Sequence, residues 1–297
     1  MRIKSLLKWY SAFGILLFVM SHNVFADWYS AIGGKTKYNS NLTNGGVSSN
    51  IVNDTVFSLS GIAGKHFQLD DNDKLSIQSQ FDGETYNRFT GMNNILAGGT
   101  ITLSRKWAMG LYSPWTSLSI SGNYLNYNDK LRDGARYQVQ LSNGKRFSEK
   151  WSVSTDIQFE RRTAANDVEV DPGVSGGVYN LSSGTIKFNT VYAFTSQYSM
   201  NLGYQVRYGD VVSTAISHTP GSNIDTVMTA VSLDPTFGPN AEAYRLRGAT
   251  HMFGACVSRL LTTHLIMNLE YQFLMTNAKG NNNYYVSLPA LNVSYDF

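Results

Sequence analysis

The chain has 297 residues, 42% hydrophobic and 13% aromatic but only 15% charged, against roughly 25% charged in ordinary soluble domains. Its formal charge of +3 is carried by Arg2, Lys4 and Lys8 within an acid-free first 26 residues. The remainder is neutral and lacks the basic excess that a nucleic-acid partner demands. A single cysteine, Cys256, excludes an intrachain disulfide framework and any multi-cysteine metal centre.

The first element is an address. Met1–Lys8 is basic, Trp9–Met20 is mostly apolar, and Val24-Phe25-Ala26 ends on a small residue, the layout of a secretory signal peptide cleaved after Ala26. As a helix the apolar stretch would span only about 18 Å, short of a hydrocarbon core of about 30 Å. The reading is thus a signal peptide over 1–26 and one domain over 27–297.

Beyond Ala26 no apolar run approaches the length of a helical span, yet period-two alternation recurs. Leu75, Ile77 and Phe81 alternate with Gln78, Gln80, Asp82 and Glu84; Trp151, Val153, Ile157 and Phe159 with Ser152, Ser154, Asp156 and Glu160. Met200, Leu202, Tyr204 and Val206 alternate with Asn201, Gly203, Gln205 and Arg207. Such strands have one face in an apolar medium and one in a polar medium. The pattern predicts about twelve strands, near 28–38, 55–68, 74–86, 95–107, 115–127, 134–147, 151–162, 178–194, 198–211, 244–261, 264–276 and 284–297. Short turns at Asp70–Lys74, Ala108–Pro114, Ser148–Lys150, Thr195–Gln197 and Thr262–His264 alternate with longer Gly/Asn/Ser-rich connections, the longest being 212–243. An even strand count, short turns on one side and long loops on the other describe an all-β transmembrane antiparallel β-barrel. Soluble β-sandwich strands are typically shorter, about five or six residues.

The last strand carries a resemblance. Leu291-Asn292-Val293-Ser294-Tyr295-Asp296-Phe297 is apolar or aromatic at every second position and ends on Phe. It resembles the terminal strand signal of Gram-negative outer-membrane proteins. That resemblance implies an outer-membrane location, outer-membrane lipid and lipopolysaccharide as surroundings, and the barrel-assembly machinery as a partner recognising the strand that ends in Phe297. Pro289 departs from the pattern, since it cannot donate to a ladder; it marks a bulge, or the regular strand starts after it. The stretch around Gly209-Asp210, Asp234, Phe237-Gly238 and Ala243-Tyr244-Arg245 also resembles a group of proteobacterial exported proteins, which implies no activity.

No catalytic site, cofactor or metal is read from the sequence. His66, His218, His251 and His264 lie in different elements, and His251 is expected as a lumen side chain in a hydrogen-bonded network. Outer-membrane phospholipase also resembles a twelve-stranded barrel, but Met252-Phe253-Gly254-Ala255 follows His251 where its motif needs a serine two residues on. Asp167, Glu169 and Asp171 are read as an exposed acidic loop, with calcium as the alternative.

The charged residues suggest a pore lining instead. With apolar residues facing lipid, the lumen receives Lys187, Arg207, Arg245 and Arg247 from strands eight to ten. Asp82 and Glu84 come from strand three, Asp156 and Glu160 from strand seven, and Glu270 from strand eleven. Strands three and nine face each other across a ring of twelve, so acidic and basic patches oppose one another and select by charge. The alternative is that these charges pair with neighbours and fill the interior. The connection 212–243, acidic with no Lys or Arg, is expected to fold over or into the mouth against Arg207, Arg245 and Arg247, the alternative being a freely exposed loop that meets phage or a partner. Trp28, Tyr38, Trp107, Trp115, Tyr127 and Trp151 near strand ends read as an interfacial girdle, with a sugar-stacking track as the alternative. The function read is a channel passing small polar solutes. The alternative is a non-conducting barrel acting through its loops in adhesion, reception or assembly, and behind that a membrane-lipid hydrolase.

Overall fold

A computed structural model describes residues 26–167, 173–216 and 224–297; the expected signal peptide, apart from Ala26, and His218, Glu169 and Asp171 lie outside the described residues. Alternating residues extend into strands β1 (Ala26–Asn39), β2 (Asp54–Gln68), β3 (Asp73–Tyr86), β4 (Asn94–Lys106), β5 (Trp115–Tyr127), β6 (Gly134–Arg146) and β7 (Trp151–Ala164). They continue through β8 (Leu181–Ala193), β9 (Tyr198–Ala215), a short β10 (Ala230–Leu233), β11 (Glu242–Leu260), β12 (Leu265–Ala278) and β13 (Asn283–Asp296). Each wall strand pairs antiparallel with the next, β9 pairs with β11, and β13 returns to β1, closing a twelve-stranded barrel. The thirteenth strand, β10, lies off the wall and pairs with Glu242–Arg245 of β11 above the end of β12. A closed ring leaves no unpaired edge, the condition for a sheet to cross a membrane.

Alternation decides which residues point out. Ile32, Phe57, Leu59, Phe81, Ile101, Leu118, Ile120, Val139, Ile157, Phe159, Phe188, Leu202, Leu269 and Leu291 are all exposed, as a face meant for hydrocarbon would be. Polar side chains occupy the other face and bond across intervening strands. Lys35 on β1 reaches Glu270 on β12 over β13, and Gln80 on β3 reaches Asn123 on β5 over β4, both at 2.6 Å. Only the concave side of a curved sheet brings residues two strands apart that close, so this is the interior.

At Pro289 the strand continues against β12, opposite Tyr271, but its pairing with β1 stops at Ala290. The missing N–H therefore falls where the β1 ladder ends. Above it, Ser287 is held from the β1 side by Ser40, whose N–H donates to the Ser287 carbonyl and whose Oγ accepts from the Ser287 N–H.

Candidate functional site

The interior holds a belt of charge. On one side Lys35 pairs with Glu270 at 2.6 Å and Lys37 with Glu84 at 3.4 Å; Glu84 also accepts from the Tyr86 hydroxyl and from Asn94. Asp82 shares this face, two residues below Glu84 on β3. On the opposite side Arg136 of β6 lies in register with Arg162 of β7, and Asp156 of β7 with Lys187 of β8. Glu160 accepts from the Gln138 amide at 2.7 Å, and Asp156 from Asn189 at 3.4 Å. Arg207 on β9 donates to the Asp210 carbonyl.

Three cavities follow this belt from end to end. A cavity of about 340 Å³ lies at the mouth, with Arg132, Arg162, Arg207, Tyr127, Tyr179 and Tyr284 in its lining. One of about 120 Å³ at mid-wall meets Lys187, Asn189, Asn201, Gln205, Glu270 and Gln272, with Cys256 beside them. A third, of about 320 Å³, lies at the short-turn end against Lys106, Arg146 and the Gly110–Ser113 turn.

Seven of the nine expected lining residues, Asp82, Glu84, Asp156, Glu160, Lys187, Arg207 and Glu270, lie on the inward face of their strands. Arg245 and Arg247 do not join them. Register places Thr250 opposite Arg207, and alternation from Thr250 turns Arg245 and Arg247 to the other face of β11. Arg247 is half exposed and pairs with Asp210 at 3.6 Å. Arg245 spends its guanidinium on the carbonyls of Gly177, Asn180 and Thr229. His251 is likewise corrected: it faces outward beside Phe253, bonded through Nδ1 to the Tyr204 hydroxyl at 2.8 Å. Tyr127 turns inward and lies under the Arg162 guanidinium at 5.5 Å, so it leaves the girdle to Trp28, Tyr38, Trp107 and Trp151, which are exposed. Trp115 packs toward Gly144 instead. Lys35 and Lys37 were legible as two lysines sharing a face opposite Ile32 and Tyr38, but acidic strands drew the reading away from them.

The mouth is capped by the connection between β9 and β11. Together with the top of β9 it touches all five other long-side connections: the Thr214 N–H of β9 donates to the Thr43 carbonyl, Thr236 Oγ1 to Asp129 and the Val231 N–H to the Ser175 carbonyl, Ser213 Oγ of β9 accepts from the Asn282 amide, and Phe237 packs on Phe89 at 4.9 Å. Asp234, fully buried, meets Arg132 of the β5–β6 connection at 2.5 Å and accepts from Thr214 Oγ1 at 2.7 Å. Of the arginines expected to hold this segment, Arg245 does so through Thr229, whose Oγ1 and carbonyl accept from its guanidinium, and Arg132 of the β5–β6 connection joins it through Asp234. Burial alone would lower the Arg132 pKa, but Tyr179, Asp234 and Asp129 outweigh it and hold the guanidinium above its usual range. Burial pushes the Tyr179 hydroxyl up, so it stays a neutral platform under Arg132 at 4.9 Å.

No family model and no curated protein matches the sequence. Among solved structures the chain is similar to an outer membrane channel from Pseudomonas putida F1, with a TM-score of 0.53 at 15% identity over 91% of this chain and 96% of that one. Similarities also reach the transport unit of the autotransporter AIDA-I from Escherichia coli, with a TM-score of 0.46 at 12% identity over 97% of each chain. The TodX monoaromatic hydrocarbon channel gives 0.45 at 7% identity over 93% of this chain and 90% of that one. The fold is that of a Gram-negative outer-membrane β-barrel.

Proposed function

We propose that the protein is an outer-membrane channel for passive or facilitated passage of small polar solutes, exported by cleavage after Ala26. Selectivity comes from the charges that line it: Asp82, Glu84, Asp156, Glu160, Lys187, Arg207 and Glu270, joined by Lys35, Lys37, Arg136 and Arg162. The observation that carries this reading is the charged belt with cavities along it, a lining that a side-chain-filled apolar core would not need. The fold shared with an outer membrane channel agrees with it. The cap narrows the passage from the long-loop side. The partners are lipid and lipopolysaccharide around the wall and the assembly machinery at the strand ending in Phe297; no catalytic role is assigned.

The single cysteine makes the test direct. Cys256 sits beside Lys187 and Glu270 in the mid-wall cavity. In a planar bilayer a defined conductance should fall when a charged, water-soluble thiol reagent reacts there, and Cys256→Ser should conduct and resist it. A barrel that stays closed at every voltage would overturn the channel reading and move the function to the loops.

A further inference from the structure

We propose that the outward face of the short-turn end is a collar that binds the phosphates of anionic glycerophospholipids. The inference rests on the barrel spanning a membrane and is independent of whether it conducts. Strands β2, β4 and β6 all end in one pattern: Lys65-His66-Phe67, Arg105-Lys106-Trp107 and Lys145-Arg146-Phe147. Alternation puts the first and third residues of each triplet on the outward face. Each cation lies over its own ring: Lys65 over Phe67 at 5.4 Å and over Trp28 of β1 at 5.1 Å, Arg105 over Trp107 at 5.5 Å, and Lys145 over Phe147 at 5.4 Å. A fourth pair repeats the arrangement across strands, with Arg259 of β11 over Tyr198 of β9 at 5.4 Å.

An aromatic girdle needs no charge. A cation held on a ring at the hydrocarbon boundary loses hydration, and the stacking recovers only part of that cost, so an anion completes the site. Among the described residues the strands supply one side-chain carboxylate to this face at the short-turn end, Asp73, which pairs with Arg105 at 3.7 Å. Among the described residues, Lys65, Lys145 and Arg259 make no ion pair. Asp70 in the neighbouring turn is engaged by the backbone N–H groups of Asn72 and Asp73; Asp71 and the adjacent Glu149 and Lys150 lie in turns beyond the strand ends. The long-loop end of the same face differs: it carries exposed Tyr38, Tyr124, Tyr137, Tyr208 and Tyr285, with Arg161 and the Asp210-paired Arg247 as exposed strand cations. Short turns face the periplasm, so the collar meets the periplasmic leaflet, where basic residues near anionic headgroups gain about 1 kcal/mol each.

The molecule carries its own reporter, because every tryptophan after residue 26 (Trp28, Trp107, Trp115 and Trp151) lies at this end. Protein purified from outer membranes would be placed in bilayers of phosphatidylcholine containing dibrominated phosphatidylglycerol, and in the reverse mixture, and tryptophan quenching would give the relative association of the two lipids. Phosphatidylglycerol should be preferred by about tenfold, with the preference falling to about one in K65Q/R105Q/K145Q/R259Q and surviving in K65R/K145R. Equal ratios in wild type and the fourfold variant, or no preference in wild type, would overturn the collar. If the fourfold variant does not insert, the wild-type preference should still collapse as salt is raised; a salt-insensitive preference would overturn it equally. Conductance recorded on the same samples reads the channel separately.

Discussion

The wall and the cap are built from the same two strands, β9 and β11, by opposite rules. Below the registered pair Gly209 and Gly248, each residue of these strands is assigned to lipid or to lumen by its parity. Above it apolar residues of both faces are buried, Arg247 remaining half exposed: Val211, Tyr244 and Leu246 pack with Ile224, Val227 and Met228, while Val212 and Ala243 pack with Val178, Tyr179 and Ala230. The wall is held by a repeating local pattern and an apolar surrounding medium. The cap is held by contacts between residues far apart in sequence, with Arg132 and Asp234 at their centre. The two regions should therefore fail separately.

The largest effect is expected from Asp234→Ala. It leaves the Arg132 guanidinium buried beside Asp129 alone, and removing one partner of a buried pair costs about 3–5 kcal/mol. Limited proteolysis should then cut the 224–241 stretch sooner, and conductance should rise, while the barrel keeps its heat-modifiable migration in SDS. Loss of that migration would show that cap and wall form one cooperative unit. Next comes a test of the wall. Ile120 is exposed on the outward face of β5, and Ile120→Arg should cost about 2–4 kcal/mol in denaturant titrations of refolding into bilayers. Gln205→Arg, facing the mid-wall cavity, should leave that midpoint nearly unchanged and alter ion selectivity instead.

The wall was legible because parity repeats over many residues, which is why the expected and observed strand ends agree closely for most of the chain. Parity became unreadable where side chains stop reporting their medium. Through Gly248-Ala249-Thr250-His251-Met252 the residues are small or ambivalent, so charge alone drew Arg245 and Arg247 inward, and His251 with them. Beyond Gly209 and Gly248 hydrophobic alternation no longer reports lipid against lumen, since loops that no local pattern announces bury apolar residues of both faces; β9 and β11 consequently run further than expected, to Ala215 and from Glu242. Tyr127 shows a related limit: a ring near a strand end suits an interface or an arginine stack equally, and only the register separates them.

A smaller effect is expected at the boundary itself. Gly209 has φ near +156°, and a Cβ there would lie 2.3 Å from the Ser182 carbonyl oxygen and 2.5 Å from Ser183 Cα. Gly209→Ala should cost about 1–3 kcal/mol in backbone strain. Hydrogen exchange should register that cost in 209–215 and 242–248 and leave the lower halves of β9 and β11 protected. Equal deprotection along both strands would erase the division between the regions.

The smallest energetic effect, and the most informative about the lumen, is expected from Glu270→Gln. Glu270 is paired with Lys35 at 2.6 Å, with side chains 18% and 31% exposed, so breaking the pair should cost about 1 kcal/mol or less. Its electrical consequence is larger than its mechanical one. The carboxylate is the one acid in the lining of the mid-wall cavity among the described residues, and neutralising it leaves Lys35 without its partner beside the smallest of the three cavities. Reversal potentials in a salt gradient should move toward the anion equilibrium value, and low salt should enlarge the shift because screening weakens. If the reversal potential stays fixed while stability is unchanged, Glu270 and Lys35 merely fill the interior, and selectivity must be set at the mouth beneath the cap.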